Sequence, residues 1–432
     1  MKSSHFIFFL FVWPLFYFGY SFAFHQSQTP FLSIPTHRPQ SLRLKELYYR
    51  PPQSRQVWHH KVTPQSPWAI QQQQQQEDVS FSVLPELSLF PRPVTTPPRL
   101  RDLYNKGQLM RLSRADTTLF ESSWGLVPDV SHRPSILALA MMTNNAYTSV
   151  NQSDSKDWYP LGPPWNVNSS FGWSEDGIRG HVFGNEDDSL LIISIKGTSA
   201  GLWTGDPTGE RDKQNDNMLF SCCCARVSRM WQPVCDCYEG NSYRCESHCL
   251  EKALLEQELY YDHALEIFKE ISDRYPSSTI WLTGHSLGGA LSAMVGATFG
   301  VPTVTFESPG DQLASTRLHL PRPPGAAHMP IWHFGHTADP IFVGVCTGPF
   351  SSCWYGGFAL ETRCHTGKVC AWDTVNEHGW RVDIRSHRIG DVIEKIIKRP
   401  DQFPSMPDCQ PEPKECVDCQ LWDYYDERDR LY

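Results

Sequence analysis

The segment 284–288 has the Gly-x-Ser-x-Gly spacing in which a serine can act as a nucleophile. An apolar, strand-like run precedes it and a helix-like run of small residues follows, which is the setting in which this motif lifts a serine above a sheet edge. Gly284 and Gly288 leave space for neighbouring backbone. The N–H of Leu287 opens the helix, where the helix dipole favours a developing oxyanion. We therefore predict Ser286 as the nucleophile of an acyl transfer.

A serine hydroxyl is a weak nucleophile and needs a base, which an acid must orient. In chains with this motif, the acid precedes the base in the sequence. Asp339 directly follows a strand-like run and is the favoured acid. Asp311 and Glu307 follow the strand before it, which places them one position early, and they stay as alternatives.

Three histidines beyond Asp339 are candidates for the base. His387 lies between the strand-like run 381–385 and an amphipathic helical pattern, which is the kind of junction where such a base belongs. His378 lies in a glycine-containing turn. His365 lies beside a cysteine in a Cys-rich loop, which favours a surface role. We predict His387 as the base and keep His378 as the alternative.

A second oxyanion donor should come from a loop that follows an earlier strand. The sequence Lys-Gly-Thr-Ser at 196–199 ends the apolar run 189–195 and meets this requirement. Both the backbone and the hydroxyl of Thr198 could point at the developing charge. An ordinary glycine-containing turn is the alternative interpretation of this loop.

The elements that must position these residues alternate between strands and helices. Short apolar runs with β-branched residues predict strands, and apolar residues at helical spacing predict helices. The alternation predicts an α/β fold of the α/β-hydrolase type, with a mostly parallel sheet and flanking helices. The predicted strands are 189–195, 279–282, 301–306 and 329–334, and the predicted helices are 253–275 and 287–299.

The composition changes sharply along the 432 residues. Residues 6–24 are apolar, uncharged and long enough to span a bilayer, which favours a retained signal anchor over a cleaved signal peptide. Residues 25–102 contain twelve prolines and a run of six glutamines, which predicts a stem without a core. The predicted parts are a cytosolic N-terminus at 1–5, a transmembrane anchor at 6–24, a lumenal stem at 25–102, a catalytic domain at 103–400 with a Cys-rich insert at about 202–250, and an acidic, Cys-containing tail at 401–432.

Fourteen cysteines behind an export signal predict disulfides in an oxidising compartment. They form groups of seven, four and three, so that, if all are paired, at least one bridge must leave each odd group. Asn151 and Asn168 begin glycosylation sequons, which also favours a lumenal catalytic domain. The close cysteine pairs at 235–237 and 416–419 lack a matching second pair, so no metal site is predicted.

The net charge of −9 is unevenly distributed, since residues 1–114 carry +8 and the remainder carries −17. An acidic catalytic region repels phosphates, which argues against nucleic acid as a partner. The basic N-terminal part could contact anionic lipid, although a solvated linker is the simpler interpretation. The chemistry predicted for Ser286 needs no cofactor, and the sequence indicates no particular protein partner.

These motifs together resemble the class 3 lipases, an α/β-hydrolase family. The matching features are the Lys-Gly-Thr sequence that ends at Thr198, the elbow around Ser286, Asp339 after the fourth strand and His387 near the end. The resemblance covers roughly residues 135–400. It implies ester hydrolysis on glycerolipids, with Ser286, Asp339 and His387 as the catalytic triad and Thr198 in the oxyanion hole.

A closer resemblance is to the fungal vacuolar autophagy lipases. It rests on the N-terminal anchor, the sequence DKQNDNMLFSCCCARVS at 212–228, the Cys-rich stretch to Cys249 and the sequence TFESPGD at 305–311. It implies the breakdown of autophagic-body membranes in the vacuole lumen. The enzyme would be a single-pass type II membrane protein that arrives through the secretory pathway, the Golgi and the endosomal multivesicular body. The stem is longer and richer in glutamine than this resemblance needs.

The Cys-rich insert lies between the oxyanion loop and the nucleophile, where a lid would be carried. A lid that opens on lipid needs apolar residues that can exchange protein for membrane. The apolar residues of the insert are Trp203, Met218, Leu219, Phe220, Met230 and Trp231. A surface excursion stapled by disulfides is the equal alternative.

Lipid membranes and glycerolipids are the predicted partners. Two other functions remain open. One is a protease or a small-ester esterase, because a triad does not name its substrate. The other is a non-catalytic, membrane-tethered lipid-binding protein, against which a complete triad argues.

Overall fold

The fold was obtained as a computed structural model of the chain. The residues that it describes are 42–49, 58–61, 83–91, 120–149, 156–161, 177–185, 188–199, 208–226, 232–240, 242–257, 259–321 and 329–426. The chain divides into two units, 1–36 and 37–432, and the first lies outside the described residues, as does the predicted anchor at 6–24. Within the described ranges, no helix has the length and apolar character needed to cross a membrane.

Nine strands form the central sheet of the larger unit. The described strands are β1 Leu42–Tyr49, β2 Trp58–Lys61, β3 Val83–Pro91, β4 Phe120–Pro128, β5 Arg179–Asn185, β6 Leu190–Ile195, β7 Arg244–Glu246, β8 Thr279–His285, β9 Thr303–Phe306, β10 Ile331–His336, β11 Lys368–Trp372, β12 Cys409–Pro411 and β13 Asp423–Tyr425. The order in the sheet is β12-β11-β10-β9-β8-β6-β5-β1-β2. Neighbours from β6 to β11 are parallel, and the outer strands pair antiparallel. The predicted mostly parallel sheet is confirmed.

Helices cover both faces of this sheet. The described helices are α1 Arg133–Asn145, α2 Gly209–Phe220, α3 Ser247–Glu256, α4 Tyr260–Arg274, α5 Leu287–Phe299, α6 Gln312–Arg317, α7 Ser352–Gly356 and α8 Ile389–Val392, which continues as a π-helical turn over Ile393–Ile397. Helices α1 and α8 pack in one apolar core, and α2, α4 and α5 pack in a second. The flanking helices predicted from the sequence are therefore present.

Strand β6 shows why the sheet needs helices on both faces. All six of its residues are buried. Leu190 and Ile192 belong to the core that contains α1, whereas Leu191, Ile193 and Ile195 belong to the core that contains α4 and α5. Successive side chains of a strand point to opposite faces, so a continuous apolar run is typical of a strand buried on both sides.

The four predicted strands are present, with their ends shifted by at most three residues. The predicted helix 253–275 is instead the pair α3 and α4. The helices are separated at Leu259, whose backbone is extended with φ −84° and ψ 157°. Leu259 is buried, and the break lets both helices turn apolar residues towards the interior.

The strand predicted at 381–385 is wrong. The side chain of Asp383 accepts a hydrogen bond from the N–H of Arg385 at 2.8 Å and starts a 3₁₀ helix over Ile384–His387. A short acidic side chain that bonds a nearby backbone N–H competes with strand pairing. The predicted base, His387, therefore ends a tight turn and does not follow a strand.

Segments outside the core of the predicted catalytic domain also contribute strands. Strands β1 and β2 lie in the region predicted as a stem, and β1 pairs with β5 at one side of the sheet. The average composition of that region, rich in proline and glutamine, hides the alternating sequence LRLKELYY. Strand β12, in the predicted tail, extends the opposite edge by pairing with β11. Strand β11 was not predicted from the sequence, because it lies in a Cys-rich region.

All fourteen cysteines are paired, since seven disulfides are present. The pairs are Cys222–Cys419, Cys223–Cys245, Cys224–Cys235, Cys237–Cys249, Cys346–Cys353, Cys364–Cys416 and Cys370–Cys409. Each odd group has a bridge that leaves it, as predicted from the counts. The sulfur atoms of Cys224, Cys235 and Cys237 lie within 4.8 Å of one another, but disulfide bonds already use them.

The insert contains a buried helix. Met218, Leu219 and Phe220 end α2 and are at most 1% exposed, because they pack in the core beside α4 and α5. These three residues are therefore core residues and do not form a lid surface. The other apolar residues predicted for a lid, at 203 and 230–231, lie outside the described residues.

Candidate active site

The predicted nucleophile lies in a strained turn between β8 and α5. Ser286 has φ 56° and ψ −130°, a conformation that costs an L-residue energy and is found mostly at functional sites. A Cβ on Gly284 would overlap the carbonyl oxygen of Gly288, and a Cβ on Gly288 would overlap that of Ile195. Only glycine allows this close approach of β8, α5 and β6.

The structure brings the three predicted triad residues together. The Nε2 atom of His387 lies 3.0 Å from the Ser286 Oγ, and its Nδ1 atom lies 2.7 Å from Oδ2 of Asp339. Asp339 follows β10 and is fully buried, and its Oδ1 accepts the N–H of Ile341 at 2.9 Å. A serine, a histidine and a carboxylate linked in this order can move the serine proton to the imidazole.

The ionisation of Asp339 suits the orienting role. Burial alone would raise the pKa of this carboxyl, but the charge and hydrogen bond of His387 outweigh it, together with hydrogen bonds from Glu307 and from a backbone N–H. The result is a pKa of about 2. Asp339 therefore remains a carboxylate at any pH above that value and fixes the Nδ1 hydrogen of His387.

The predicted oxyanion loop follows β6 and lies against the elbow. A Cβ on Gly197 would overlap the carbonyl oxygen of His285, so this contact requires glycine. As the first residue of α5, Leu287 has an N–H without an acceptor in the helix. The Thr198 hydroxyl is hydrogen bonded to Oδ2 of Asp216 at 2.6 Å. When Asp216 is ionised, that hydroxyl hydrogen is not free for an oxyanion.

Protonation of Asp216 changes the direction of this hydrogen bond. Asp216 is 2% exposed, and burial raises its pKa to about 8. Below that pH, the neutral carboxyl can donate to Thr198 Oγ1, which frees the hydroxyl hydrogen to point at the substrate. Asp216 gave no signal in the sequence, because no pattern of spacing links it to the loop.

A hydrogen-bond relay supports the backbone of the base. Oη of Tyr147 lies 2.7 Å from Nδ1 of His285, and Nε2 of His285 lies 2.7 Å from the carbonyl oxygen of His387. Because a carbonyl only accepts, Nε2 donates to it and Nδ1 accepts from the tyrosine. Burial lowers the pKa of His285 to about 3, which keeps it neutral in this relay. Tyr147 gave no signal in the sequence.

Replacing Tyr147 with phenylalanine is expected to lower kcat about 3- to 10-fold and to leave KM nearly unchanged. The change removes one hydrogen bond from the relay, which is typically about 1 kcal/mol. The control is Tyr159→Phe, which removes a hydroxyl bonded to Glu394 at 2.9 Å on the protein surface. Steady-state kinetics on one ester would compare the two variants. Equal kcat values for both would contradict a role of the relay in holding His387.

The alternative acids and bases make other contacts. Asp311 accepts hydrogen bonds from the N–H of Thr366 at 2.8 Å and from its hydroxyl at 2.6 Å.

His365 is 2% exposed, so the surface role predicted for it is wrong. The Nε2 atom of its buried ring lies 3.0 Å from the carbonyl oxygen of Ser308. The ring of His378 lies against Phe403 at 4.1 Å between centroids. The acid Glu307 lies beside Asp339.

Other predicted sites lie outside the described residues. They are the glycosylation sequons at Asn151 and Asn168.

Comparisons with known proteins relate this site to lipases. A family profile described as a Tle-like phospholipase domain matches residues 247–319, which contain the elbow. Proteins named "Putative lipase ATG15" match a larger part of the chain. The one from Vanderwaltozyma polyspora is 49% identical over 306 residues, which is 69% of this chain and 53% of that protein. This chain is a relative of those fungal proteins.

The relationship extends to other yeasts. The protein of the same name from Saccharomyces cerevisiae is 49% identical over 311 residues, which is 70% of this chain and 58% of that protein. The chain thus spans a little more than half the length of these relatives. Among solved structures, the Lip2 lipase from Yarrowia lipolytica is 14% identical, with 55% of this chain and 77% of that chain covered and a TM-score of 0.28. The predicted resemblance to the fungal autophagy lipases is confirmed by the proteins that carry the ATG15 name.

Proposed function

We propose that this chain is a serine lipase that hydrolyses acyl esters of glycerolipids, either triacylglycerol or membrane phospholipid. Ser286, Asp339 and His387 form its triad. The observation that carries the proposal is the continuous hydrogen-bonded path from the Ser286 hydroxyl through both ring nitrogens of His387 to Asp339. The names of the relatives and the phospholipase description of the matching profile support lipid esters as the substrate class.

The reaction takes place in two acyl-transfer steps. His387 Nε2 accepts the proton of Ser286 while Oγ bonds to the ester carbonyl carbon. The N–H groups of Leu287 and Thr198 stabilise the charge on the carbonyl oxygen. The proton then passes from Nε2 to the alcohol oxygen, which leaves. A water molecule next gives a proton to Nε2 and bonds to the acyl carbon, and the fatty acid leaves as Ser286 recovers its proton.

The proposal includes a place of action. The enzyme breaks down autophagic bodies and other vesicles inside the vacuole, which it reaches through the endosomal multivesicular body with residues 6–24 as its anchor and the catalytic domain in the lumen. Seven disulfides support an oxidising lumen. The ATG15 name of the relatives supports the autophagic role. Asn151 and Asn168 would carry glycans there, and no cofactor takes part.

Apolar side chains that point into solvent support a lipid surface as the substrate. Phe350 is 96% exposed and Tyr355 is 74% exposed, both in the segment that follows Asp339. Exposed side chains of this kind are characteristic of surfaces that contact other apolar material, and an aromatic ring suits the interface of a bilayer.

The test is fatty-acid release by the full chain from three substrates at equal ester concentration. These are phospholipid vesicles, a triacylglycerol emulsion and a short-chain ester that is tested below and above its solubility limit. We expect release from at least one aggregated lipid and a rise in the rate on the short-chain ester at the solubility limit. Protein that has been inactivated by a serine-reactive phosphonate is the control for contaminating hydrolysis.

The other outcomes separate the rival functions. Activity on the dissolved ester with no gain on aggregation would identify an esterase. Cleavage of a peptide substrate with no fatty-acid release would identify a protease. Vesicle binding without hydrolysis or phosphonate labelling, by protein shown to be folded, would identify a non-catalytic binding protein.

A further inference from the structure

A second fully buried carboxyl group, that of Glu307, lies beside Asp339 of the proposed triad. Glu307 follows β9, and Asp339 follows β10, which is the parallel neighbour of β9. Both residues are 0% exposed. The N–H of Glu307 donates to the carbonyl oxygen of Phe334 at 2.8 Å, which holds its backbone in place. The φ angle of Glu307 is 47°, a value that few L-residues adopt. The fold therefore places the carboxyl of Glu307 here at a cost in backbone strain.

The carboxyl groups of Glu307 and Asp339 face each other closely enough to share a hydrogen bond. Such a bond requires that one of them carries a proton, since two carboxylates have only acceptor atoms. Glu307 Oε2 accepts a long hydrogen bond from the N–H of His336 at 3.4 Å. No donor among the described residues reaches Glu307 Oε1, as expected for the oxygen that bears the hydrogen.

The surroundings decide which carboxyl is neutral. Asp339 has Nδ1 of His387 at 2.7 Å and the N–H of Ile341 at 2.9 Å, so its charge is well stabilised. Among the donors that the structure describes, Glu307 accepts only the long hydrogen bond from the His336 N–H. Burial, and then the charge of Asp339, raises the pKa of Glu307 well above its usual value. The proton therefore belongs to Glu307.

Among the described residues, no nearby cation supplies an alternative partner for Glu307. Nε2 of His336 lies 3.7 Å from Glu307 Oε1, but it donates to the carbonyl oxygen of Ser386 at 3.2 Å, and burial lowers the pKa of His336. The other titratable groups around Asp339 are His387 and the neutral His285. In the described part of the chain, lysine and arginine form their ion pairs with other carboxylates.

We propose that Glu307 is a positioning residue of the triad: a neutral carboxylic acid whose O–H donates to the carboxylate of Asp339. This inference rests on the proposed function. The donated hydrogen bond replaces the water that a buried carboxylate lacks, and it fixes the oxygen that must face His387. The arrangement holds Asp339 ionised at acidic pH, and it fails when alkaline pH removes the proton from Glu307 and places two negative charges side by side.

Two variants of similar volume test the donor. Glu307→Gln keeps a hydrogen-bond donor, and Glu307→Leu removes it. With the ester that the native chain hydrolyses best, we expect kcat of the Gln variant to stay within about threefold of native. We expect kcat of the Leu variant to fall about 10- to 100-fold, with KM within about twofold, because a hydrogen bond to a charged group is lost. Equal losses in both variants, or no loss in the Leu variant, would overturn the proposal.

The pH profile separates positioning from simple packing. As pH rises and Glu307 loses its proton, the native kcat should fall on the alkaline side. The Gln variant cannot ionise at 307 and should keep its activity to higher pH. Identical alkaline limbs in the native protein and the Gln variant would contradict the role of the proton.

A measurement without substrate makes the result independent of the lipase proposal. The native folded protein near pH 7 should show the infrared carbonyl stretch of a protonated carboxyl group, and this band should weaken in Glu307→Gln.

The stability of the protein should also depend on the Glu307 proton. Because the folded pKa of Glu307 lies above its unfolded value, its contribution to stability is full below the unfolded pKa and is lost as pH rises through the folded one. The stability of the native protein relative to the Gln variant should therefore fall with rising pH. A change in the band without any hydrolysis would support the carboxyl pair and refute only the lipase. An unchanged band and a flat difference in stability would refute the pair.

Discussion

Replacing Ser286 with alanine is expected to lower kcat about 10⁶-fold while the protein stays folded. Loss of a nucleophilic serine removes the whole covalent path, and the only activity left comes from the oxyanion donors acting on water. The hydrogen bond of the Ser286 hydroxyl goes to His387, at 3.0 Å, so its loss leaves the packing of the elbow unchanged. Fatty-acid release and single-turnover acylation would measure the effect.

A serine six residues further along, inside α5, serves as the matched control. The hydroxyl of Ser292 donates to the carbonyl oxygens of Gly288 and Thr283 at 2.7 and 2.9 Å. Ser292→Ala should therefore cost some stability but leave kcat within about threefold, since one neutral hydrogen bond is typically worth about 1 kcal/mol. A loss of less than tenfold in Ser286→Ala, with phosphonate labelling retained, would show that another residue is the nucleophile.

Removal of the Cys222–Cys419 disulfide is expected to have the largest effect on stability. The bridge joins residues 197 positions apart and ties the end of α2 to the C-terminal segment. Closing a loop of this length lowers the entropy of the unfolded chain by an amount equivalent to about 5 kcal/mol. The double variant Cys222→Ala/Cys419→Ala should lose roughly that amount of unfolding free energy. Denaturant unfolding under non-reducing conditions measures it.

The Cys346–Cys353 pair provides the comparison, because its sequence separation is only 7. The same entropy argument gives about 2 kcal/mol for the double alanine variant at these two positions. The folded contacts of the C-terminal segment should partly persist without the long bridge, since the Tyr424 hydroxyl donates to the carbonyl oxygen of Cys222 at 2.9 Å. A smaller loss for the long loop than for the short one would contradict the entropic explanation.

The amino-acid sequence by itself determined the features that depend on local chain geometry. The glycines at 284 and 288 are needed within a single turn, so the spacing of the motif revealed the elbow before any fold was known. The order of serine, acid and base along the chain, together with the strand-like runs before the candidates, selected Asp339 and His387. The structure places His387 within hydrogen-bonding distance of both Asp339 and Ser286. Counting the cysteines also predicted that some bridges must join the groups.

The alternation of short apolar runs and helical patterns predicted the sheet, because a strand buried on both faces must be apolar throughout. The same reasoning failed where a local hydrogen bond changed the backbone or where the average composition of a region obscured the pattern. The side chain of Asp383 turns the predicted strand 381–385 into a 3₁₀ helix. The proline and glutamine content of the stem obscured the alternating strand β1.

Only the tertiary structure decided which distant polar groups meet. Glu307 was a weaker choice as the acid because it follows the strand next to that of Asp339, yet the parallel pairing of those strands is what places the two carboxyls together. Tyr147 supports the base through His285 from 138 residues away, and Asp216 controls the Thr198 hydroxyl. The physical reason is that burial and strand pairing set the partners and the pKa of a side chain, and neither is encoded in its neighbours along the chain.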